Sequence, residues 1–235
     1  MCDCACGVIG GCVGNDLSAL DEIFEAQRGL NDRILKRMGV NTNILAAQKF
    51  PHLTYDWLMS FNKAYLIEFG ELIEAFGEHF CVFDGWNSMA DEKIEVVDML
   101  HFLVSMSLVT GVVPSEVVGA FKRAQTHVEL DSITKHVIIS NMRLTDCGKW
   151  KWWGASEFFY YSQDAHYEVI AMWITFASLC RIFDMDVREL HDIYMKKNQV
   201  NHERQDNGYN EQTKTEADNQ TIAKEINYGC CGFQG

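Results

Sequence analysis

The chain is 235 residues long and 48% hydrophobic, which is enough to bury the core of one sizeable domain or two small ones. Its formal net charge of −13 argues against broad binding to nucleic acid or to an anionic membrane surface, because both need basic patches. It has no apolar run of about eighteen residues and no basic-then-apolar N-terminus, so we expect a cytoplasmic protein, in a host cytoplasm if the chain is viral.

The N-terminal part of the chain predicts an irregular arm followed by a helix. Residues 1–15 are rich in glycine and cysteine and show no amphipathic period. From Asp16 or Ser18, either of which is a favourable N-cap, apolar residues recur at helical spacing. The pattern ends at Gly39, a residue type that is common just past a helix end.

Three further helices are predicted before the middle of the chain. Residues 54–77 carry an apolar face at helical spacing and begin with a threonine, a favourable N-cap. A third helix opens at Ser88 or Asp91 and ends near Gly111. The fourth covers residues 114–127 and begins with a proline, which a first helical turn tolerates.

The second half of the chain mixes irregular and helical patterns. Residues 128–154 include the β-branched run 137–139 and a lysine-tryptophan run at 149–153, so we predict an irregular insertion there. Helical spacing returns at residues 156–183 and again at 186–204. Both of these helices are expected to pack in the core.

These patterns predict an all-α protein in three parts. Residues 1–15 form the arm, residues 16–209 form one helical bundle, and residues 210–235 form a polar, loosely held tail. The architecture expected is therefore a helical bundle with an irregular insertion and flexible termini.

The cysteines fall into two groups. Cys81, Cys147 and Cys180 are scattered singly and are expected to be buried small hydrophobes in a reducing compartment. The others cluster at the two ends, where a metal site, a disulfide clip and a mobile tail all remain open. This second group comprises Cys2, Cys4, Cys6, Cys12, Cys230 and Cys231.

Two pairs of acids dominate the candidate functional residues. Glu68 and Glu71 lie one turn apart on the second predicted helix, and Glu95 and Asp98 repeat the spacing on the third. Both pairs lie in strongly apolar stretches, which distinguishes them from an ordinary solvated acidic face. If the two helices are neighbours, the four acids converge, and their repulsion requires cations. Oxygen-only ligands favour Mg²⁺, with Mn²⁺ as a possible substitute.

The acidic pairs belong to a longer set of ordered motifs. Glu68-x-x-Glu71 followed by Glu95-x-x-Asp98 resembles the signature of the all-α NTP pyrophosphatases, the MazG-like superfamily, and more narrowly the dimeric dUTPases. The segments 20–31 and 93–102 are similar to that family's first and third motifs. Residues 197–209, reading Lys-Asn-x-x-Asn-x-x-Arg-Gln-x-x-Gly-Tyr, are similar to its final motif.

The resemblance implies hydrolysis of a deoxynucleoside triphosphate between its α and β phosphates. It implies that Glu68, Glu71, Glu95 and Asp98 are catalytic and hold Mg²⁺, and that the protein is a homodimer. We expect Glu68 also to orient the attacking water, since a carboxylate beside a divalent cation is a plausible general base.

The remaining polar motif residues are interpreted as substrate-binding. Lys197 and Arg204 supply positive charge for the distal phosphates, and arginine is able to form a bidentate pair. Gln27, Asn31 and Asn201 offer the donor and acceptor groups needed to recognise a pyrimidine. The resemblance to the dimeric dUTPases implies a small-molecule substrate, dUTP, and no nucleic acid or membrane is expected as a partner.

One departure from the family pattern affects the base pocket. Relatives often carry a lysine-aromatic-tryptophan string after the first acidic pair, whereas here only Trp86 is a candidate stacking residue. Two interpretations of the run 149–153 stay open: it replaces that lysine in space or, as we favour, it anchors the insertion in the core. Tyr209 is expected to cover the sugar or phosphates, and His101 is interpreted as a core-edge residue because the family's metals take oxygen ligands.

Two alternatives to a dUTP diphosphatase follow from the same residues. A swap of donor and acceptor at Gln27, Asn31 or Asn201 would favour dCTP, so a dCTP or dual dCTP/dUTP pyrophosphatase stays open. An alternative of another class is a non-catalytic helical interaction protein that binds a basic partner in the acidic groove.

Overall fold

A computed structural model of the chain describes residues 13–40, 51–81, 89–149, 159–206 and 217–230. Within these ranges the chain is almost entirely helical, so the predicted all-α class is confirmed. The elements in order are α1 Val13–Arg37, α2 Pro51–Cys81, α3 Ala90–Thr110, α4 Pro114–Arg123, α5 Leu130–Asp146, β1 Gly148–Lys149, β2 Phe159–Tyr160, α6 Ser162–Ile182, α7 Val187–Asp206 and α8 Ala217–Cys230.

Helix α3 occupies the centre of the bundle. It packs against α1, α2, α6, α7 and α8, and most of its residues are buried. A helix that is apolar nearly all round is expected to lie in a core. It ends at Gly111, whose φ of 78° is the left-handed conformation that glycine adopts at low cost. The acids of α3 are therefore held on the most constrained helix of the described chain.

The remaining predicted helices occur with shifted ends. Helix α1 begins at Val13, before the predicted caps, and α2 extends the predicted second helix at both ends. Helix α4 ends at Arg123 rather than near residue 127. At the start of α7, Asp186 Oδ1 accepts hydrogen bonds from the backbone N–H of Arg188 at 3.0 Å and of Glu189 at 2.8 Å, as an N-cap does.

The prediction of an irregular insertion is wrong for residues 130–146, which form α5. The β-branched run contributes Val137 to the core and leaves Ile138 and Ile139 about half exposed, as a helix and not a strand would do. Ile133, Val137 and Leu144 are all buried in the core cluster and α5 packs on α6. Packing of this face therefore overrides the weak helix propensity of β-branched residues.

The predicted start of the following helix is also wrong. Phe159 and Tyr160 form β2, which pairs antiparallel with β1 through Gly148–Tyr160 and Lys149–Phe159. The backbone N–H of Tyr161 donates to the carbonyl of Cys147 at 2.9 Å, which extends the pairing. Helix α6 therefore begins only at Ser162, six residues later than its pattern predicted.

The prediction of a loosely held C-terminal tail does not hold for residues 217–230. They form α8, which packs against α3 and α7. Ile222 and Ala223 are 5% and 8% exposed and belong to the core cluster. Residues 207–216 and 231–235 lie outside the described ranges.

The cysteine predictions are tested only in part. Cys147 and Cys180 are buried, as expected, and neither forms a disulfide with another described residue. The side chain of Cys81 and all six terminal cysteine side chains lie outside what the structure describes. No helix within the described ranges is long and apolar enough to cross a membrane.

Candidate active site

Three of the four predicted acids meet between α2 and α3. Glu68 and Glu71 lie one turn apart on α2, and Glu95 faces them from α3, the helix that α2 packs against most extensively. One carboxylate oxygen from each lies within 4.8 Å of the other two. Spacing along two neighbouring helices is thus sufficient to bring these acids together.

The carboxyl of Glu95 is strongly perturbed by its surroundings. Burial raises the pKa of its carboxyl to about 8, and the nearby charges of Asp98, Glu68 and Glu71 act in the same direction. Its Oε2 atom is buried and has no hydrogen-bond partner among the described residues. An oxygen in this condition is costly to bury unless a ligand satisfies it.

The fourth acid, Asp98, is paired with a buried lysine. Lys197 of α7 is 3% exposed, and its Nζ donates to Asp98 Oδ2 at 2.8 Å. The same Nζ donates to Asn219 Oδ1 of α8, also at 2.8 Å. Asp98 is therefore close enough to Glu95 to raise its pKa, while one of its own oxygens is held by a cation.

Glu68, Glu71 and Asp98 border a cavity of about 240 Å³ that runs between α1, α2, α3, α7 and α8. The aromatic part of its lining includes Trp57 and Phe61, whose ring centroids lie 5.8 Å apart, and Phe102. The polar and charged residues that line it include Gln27, Asn31, Glu68, Glu71, Asp98, His101, Ser105, Lys197, Asn201, Arg204, Gln205 and Asn219. An apolar wall facing convergent polar groups is the usual form of a small-molecule site.

A buried network of hydrogen bonds forms one wall of this cavity. Gln27 Nε2 donates to Asn31 Oδ1 at 2.8 Å and to Ser105 Oγ at 3.0 Å. Gln27 Oε1 accepts from the hydroxyl of Tyr194 at 2.7 Å and contacts His101 Nδ1 at 2.8 Å. Burial lowers the pKa of His101 to about 3, with Lys197 acting in the same direction, so its ring is neutral.

Most predicted substrate residues lie in one place. Gln27, Asn31, Lys197, Asn201 and Arg204 all line the cavity that also contains three of the acids. His101, expected at the edge of the core, is 5% exposed and contacts this cavity. The predictions for Trp86 and Tyr209 fall outside the described residues.

Several cavity residues were not predicted from the sequence. Trp57 and Phe61 follow the apolar spacing of α2, and that spacing does not distinguish a cavity wall from a core. Ser105, which lines the cavity, and Tyr194, which donates a hydrogen bond to Gln27, are equally ordinary in sequence. Asn219 lies in the polar segment that was expected to be a tail, so no local signal marked it.

The acids fit a hard divalent cation. All of their donor atoms are carboxylate oxygens, which Mg²⁺ and Mn²⁺ prefer and zinc sites rarely use alone. The orphaned Glu95 oxygen lacks a partner that such a cation would provide. The exposed carboxylate of Glu71 leaves the cluster open towards solvent.

The comparison with protein families agrees with the location of this site. A family model described as dUTPase matches residues 19–209, which include every residue of the acidic cluster and all but Asn219 of the polar cavity lining named above. No curated protein matches the chain.

Proposed function

This chain belongs to the dUTPase family, and we propose that it is a Mg²⁺-dependent dUTP diphosphatase. Membership of the family supports the general activity, which is hydrolysis of dUTP or another deoxynucleoside triphosphate. The finer assignment rests on one observation, the meeting of Glu68, Glu71 and Glu95 within 4.8 Å beside a cavity lined with amides and cations. The substrate proposed is accordingly a small anionic nucleotide.

Glu68, Glu71, Glu95 and Asp98 are the residues that would hold Mg²⁺, with Mn²⁺ as a substitute. The cation would supply charge to the phosphate oxygens and lower the pKa of the attacking water. Asp98 would complete this set, and its Oδ2 accepts a hydrogen bond from Lys197 Nζ at 2.8 Å. The positive charge of the cation would offset the repulsion between these carboxylates and the phosphates of the substrate.

In the proposed reaction Glu68 orients the attacking water and accepts its proton. It is half-buried and lines the cavity, and its neighbour Glu71 is exposed at the rim. Water adds to the α phosphorus as the bond from that phosphorus to the bridging α–β oxygen breaks. The products are dUMP and pyrophosphate, and the pyrophosphate carries away the negative charge of the broken bond.

In the proposed complex the cationic side chains of the cavity bind the phosphates and the amide side chains bind the base. Lys197 and Arg204 lie three and ten residues after Tyr194 on α7, and both contact the cavity, where they would neutralise the distal phosphates. Asn31 and Asn201 would provide amide groups for the pyrimidine, and Gln27 would act through the hydrogen bond that its Nε2 donates to Asn31. Trp86 and Tyr209 are retained as proposed stacking and covering residues.

The proposed function is tested by a panel of deoxynucleoside triphosphates with pyrophosphate release as the readout. We expect release from dUTP with Mg²⁺ or Mn²⁺ and none with a chelator. Glu71→Gln and Asp98→Asn should reduce kcat by at least about a hundredfold without unfolding the protein. Glu74→Gln is the matched control, since Glu74 is an exposed acid one turn from Glu71 and does not line the cavity.

The same panel separates the alternatives. Faster turnover of dCTP, or equal turnover of both, would replace dUTP by the dCTP or dual assignment and leave the chemistry intact. A chain that releases no pyrophosphate from any nucleotide would instead be a helical interaction protein.

We also propose that the protein is a homodimer and is located in the cytoplasm. Light scattering of the purified chain tests the dimer.

A further inference from the structure

Gln27 uses its whole hydrogen-bonding capacity within the protein. A carboxamide has two N–H donors and two lone pairs on its oxygen. Its Nε2 donates to Asn31 and Ser105, and its Oε1 contacts Tyr194 and His101, all at 2.7–3.0 Å. Gln27 is 3% exposed, so no hydrogen-bonding atom of this side chain is left to bind a ligand.

The hydrogen bonds around Gln27 share one consistent set of donor and acceptor directions. Asn198 Nδ2 donates to the Tyr194 hydroxyl at 3.2 Å, so that hydroxyl passes its own proton to Gln27 Oε1. The His101 ring contacts Tyr194 in a tilted arrangement, with an interplanar angle of 32° and centroids 4.3 Å apart. With Oε1 of Gln27 as the acceptor, the neutral His101 ring donates to it through Nδ1–H. The oxygen of Gln27 therefore faces His101 and Tyr194, and its nitrogen faces Asn31 and Ser105.

The opposite orientation of Gln27 is disfavoured. With the amide reversed, the Tyr194 hydroxyl would receive hydrogen bonds from both Asn198 and Gln27 and its own proton would have no acceptor. The His101 proton would move to Nε2, a buried atom that has no partner among the described residues. Two buried donors would be left unpaired, which costs more than one unpaired acceptor lone pair.

The orientation of Gln27 is passed on to Asn31. Asn31 Oδ1 accepts from Gln27, and its Nδ2 donates to Ser105 Oγ at 3.1 Å. Ser105 Oγ lies 2.8 Å from the His101 carbonyl oxygen and 3.3 Å from Asn31 Oδ1, so the shorter hydrogen bond of its single proton goes to the carbonyl. Asn31, which is half-buried and lines the cavity, retains one N–H and one lone pair for a ligand.

On the basis of the proposed function, we propose that His101 and Tyr194 are positioning residues for base recognition, which fix the Gln27 amide and thereby the donor and acceptor that Asn31 presents. Uracil offers a carbonyl acceptor beside an N–H donor, whereas cytosine offers an amino donor beside a ring acceptor. Reversal of the amide pair would exchange the groups that face the base. The hydrogen-bond directions imposed by Tyr194 and Asn198 of α7 thus select one pyrimidine over the other.

The test compares kcat/KM for dUTP and dCTP at saturating Mg²⁺ in two variants of the full chain. Tyr194→Phe removes one donor to Gln27 and changes the ring volume little, and we expect the ratio between the two nucleotides to fall by about tenfold. Asn198→Asp offers the Tyr194 proton a competing acceptor, so we expect a larger fall. In both variants the Mg²⁺ concentration for half-maximal rate should stay unchanged.

The matched control is Tyr160→Phe, because the buried Tyr160 hydroxyl has no partner among the described residues and does not line the cavity. A wild-type preference for dCTP that both variants reduce would support the proposal and refute the dUTP assignment. Folded variants that keep the wild-type ratio would overturn the proposal alone. Equal wild-type turnover of the two nucleotides would also overturn it, and turnover of neither would overturn the proposed function with it.

Discussion

At the scale of single residues, Glu95 links the stability of the protein to pH. Burial and neighbouring acids raise the pKa of this carboxyl from 4.5 to about 8 in the folded chain. A group with a raised folded pKa stabilises the fold below its unfolded pKa and loses that contribution as pH rises through the folded value. The free energy of unfolding of the metal-free protein should therefore decrease between about pH 4.5 and pH 8.

Urea denaturation in the presence of a chelator measures this dependence. Glu95→Gln removes the titrating group while it keeps the shape of the side chain, so its stability should change less over the same pH range. A wild-type curve that is parallel to the Glu95→Gln curve throughout would show that Glu95 titrates as it does in the unfolded chain.

Gly148 is a second residue where local geometry predicts stability. A side chain at this position would overlap the ring of Tyr55, whose hydroxyl donates to the Thr145 carbonyl at 2.7 Å. Gly148→Ala should therefore lower the free energy of unfolding by about 1–3 kcal/mol. Gly29 is the matched control, since it is exposed in α1 with open space where an added methyl group would lie, and Gly29→Ala should stabilise by about 0.5–1 kcal/mol.

At the scale of helices and strands, the sequence predicts best where one face is uniformly apolar. Residues 54–77 and α3 were both predicted correctly as helices. In each of them the apolar residues that recur at helical spacing are for the most part also the residues that are buried. Helix α5 was missed because the β-branched run 137–139 argued against a helix and led to the prediction of an irregular insertion. The core face that holds the helix lies at Ile133, Val137 and Leu144. Helix α8 was missed because, among its described side chains, only Ile222, Ala223 and part of Ile226 pack on the core.

Helix α8 is predicted to contribute to the site through Asn219. Its Oδ1 accepts one hydrogen bond from the buried ammonium of Lys197 at 2.8 Å. Loss of that acceptor leaves part of a buried charge unsatisfied, which costs about 1–3 kcal/mol. Asn219→Ala should therefore lower the melting temperature and reduce kcat/KM, whereas Gln220→Ala, an exposed position of the same helix, should change neither. Equal behaviour of the two variants would exclude a role for Asn219.

At the scale of the whole molecule, the candidate site divides into local and distant parts. The i, i+3 acids were predictable, because a helix places such residues on one face whatever the rest of the chain does. The pairing of Lys197 with Asp98 was not, since the two residues lie 99 positions apart and only the packing of α7 on α3 brings them together. The bonds of Tyr194 and Ser105 to Gln27 depend in the same way on three helices meeting at once.

The overall negative charge predicts that metal and nucleotide bind cooperatively. A chain with a net charge of −13 presents three clustered carboxylates to a polyanionic substrate, so a cation between them should strengthen the binding of both. By thermodynamic necessity, Mg²⁺ and nucleotide then raise each other's affinity by the same factor, which we expect to be at least about tenfold.

Calorimetric titration with a non-hydrolysable dUTP analogue, with and without Mg²⁺, measures the effect of the cation on nucleotide affinity. Titration with Mn²⁺, with and without the analogue, measures the effect of the nucleotide on the affinity for a substitute cation. Glu71→Gln should weaken the coupling and Glu74→Gln should preserve it. Analogue binding that is equally tight in a chelator would contradict a bridging cation, because attraction from Lys197 and Arg204 alone would then be sufficient to hold the phosphates.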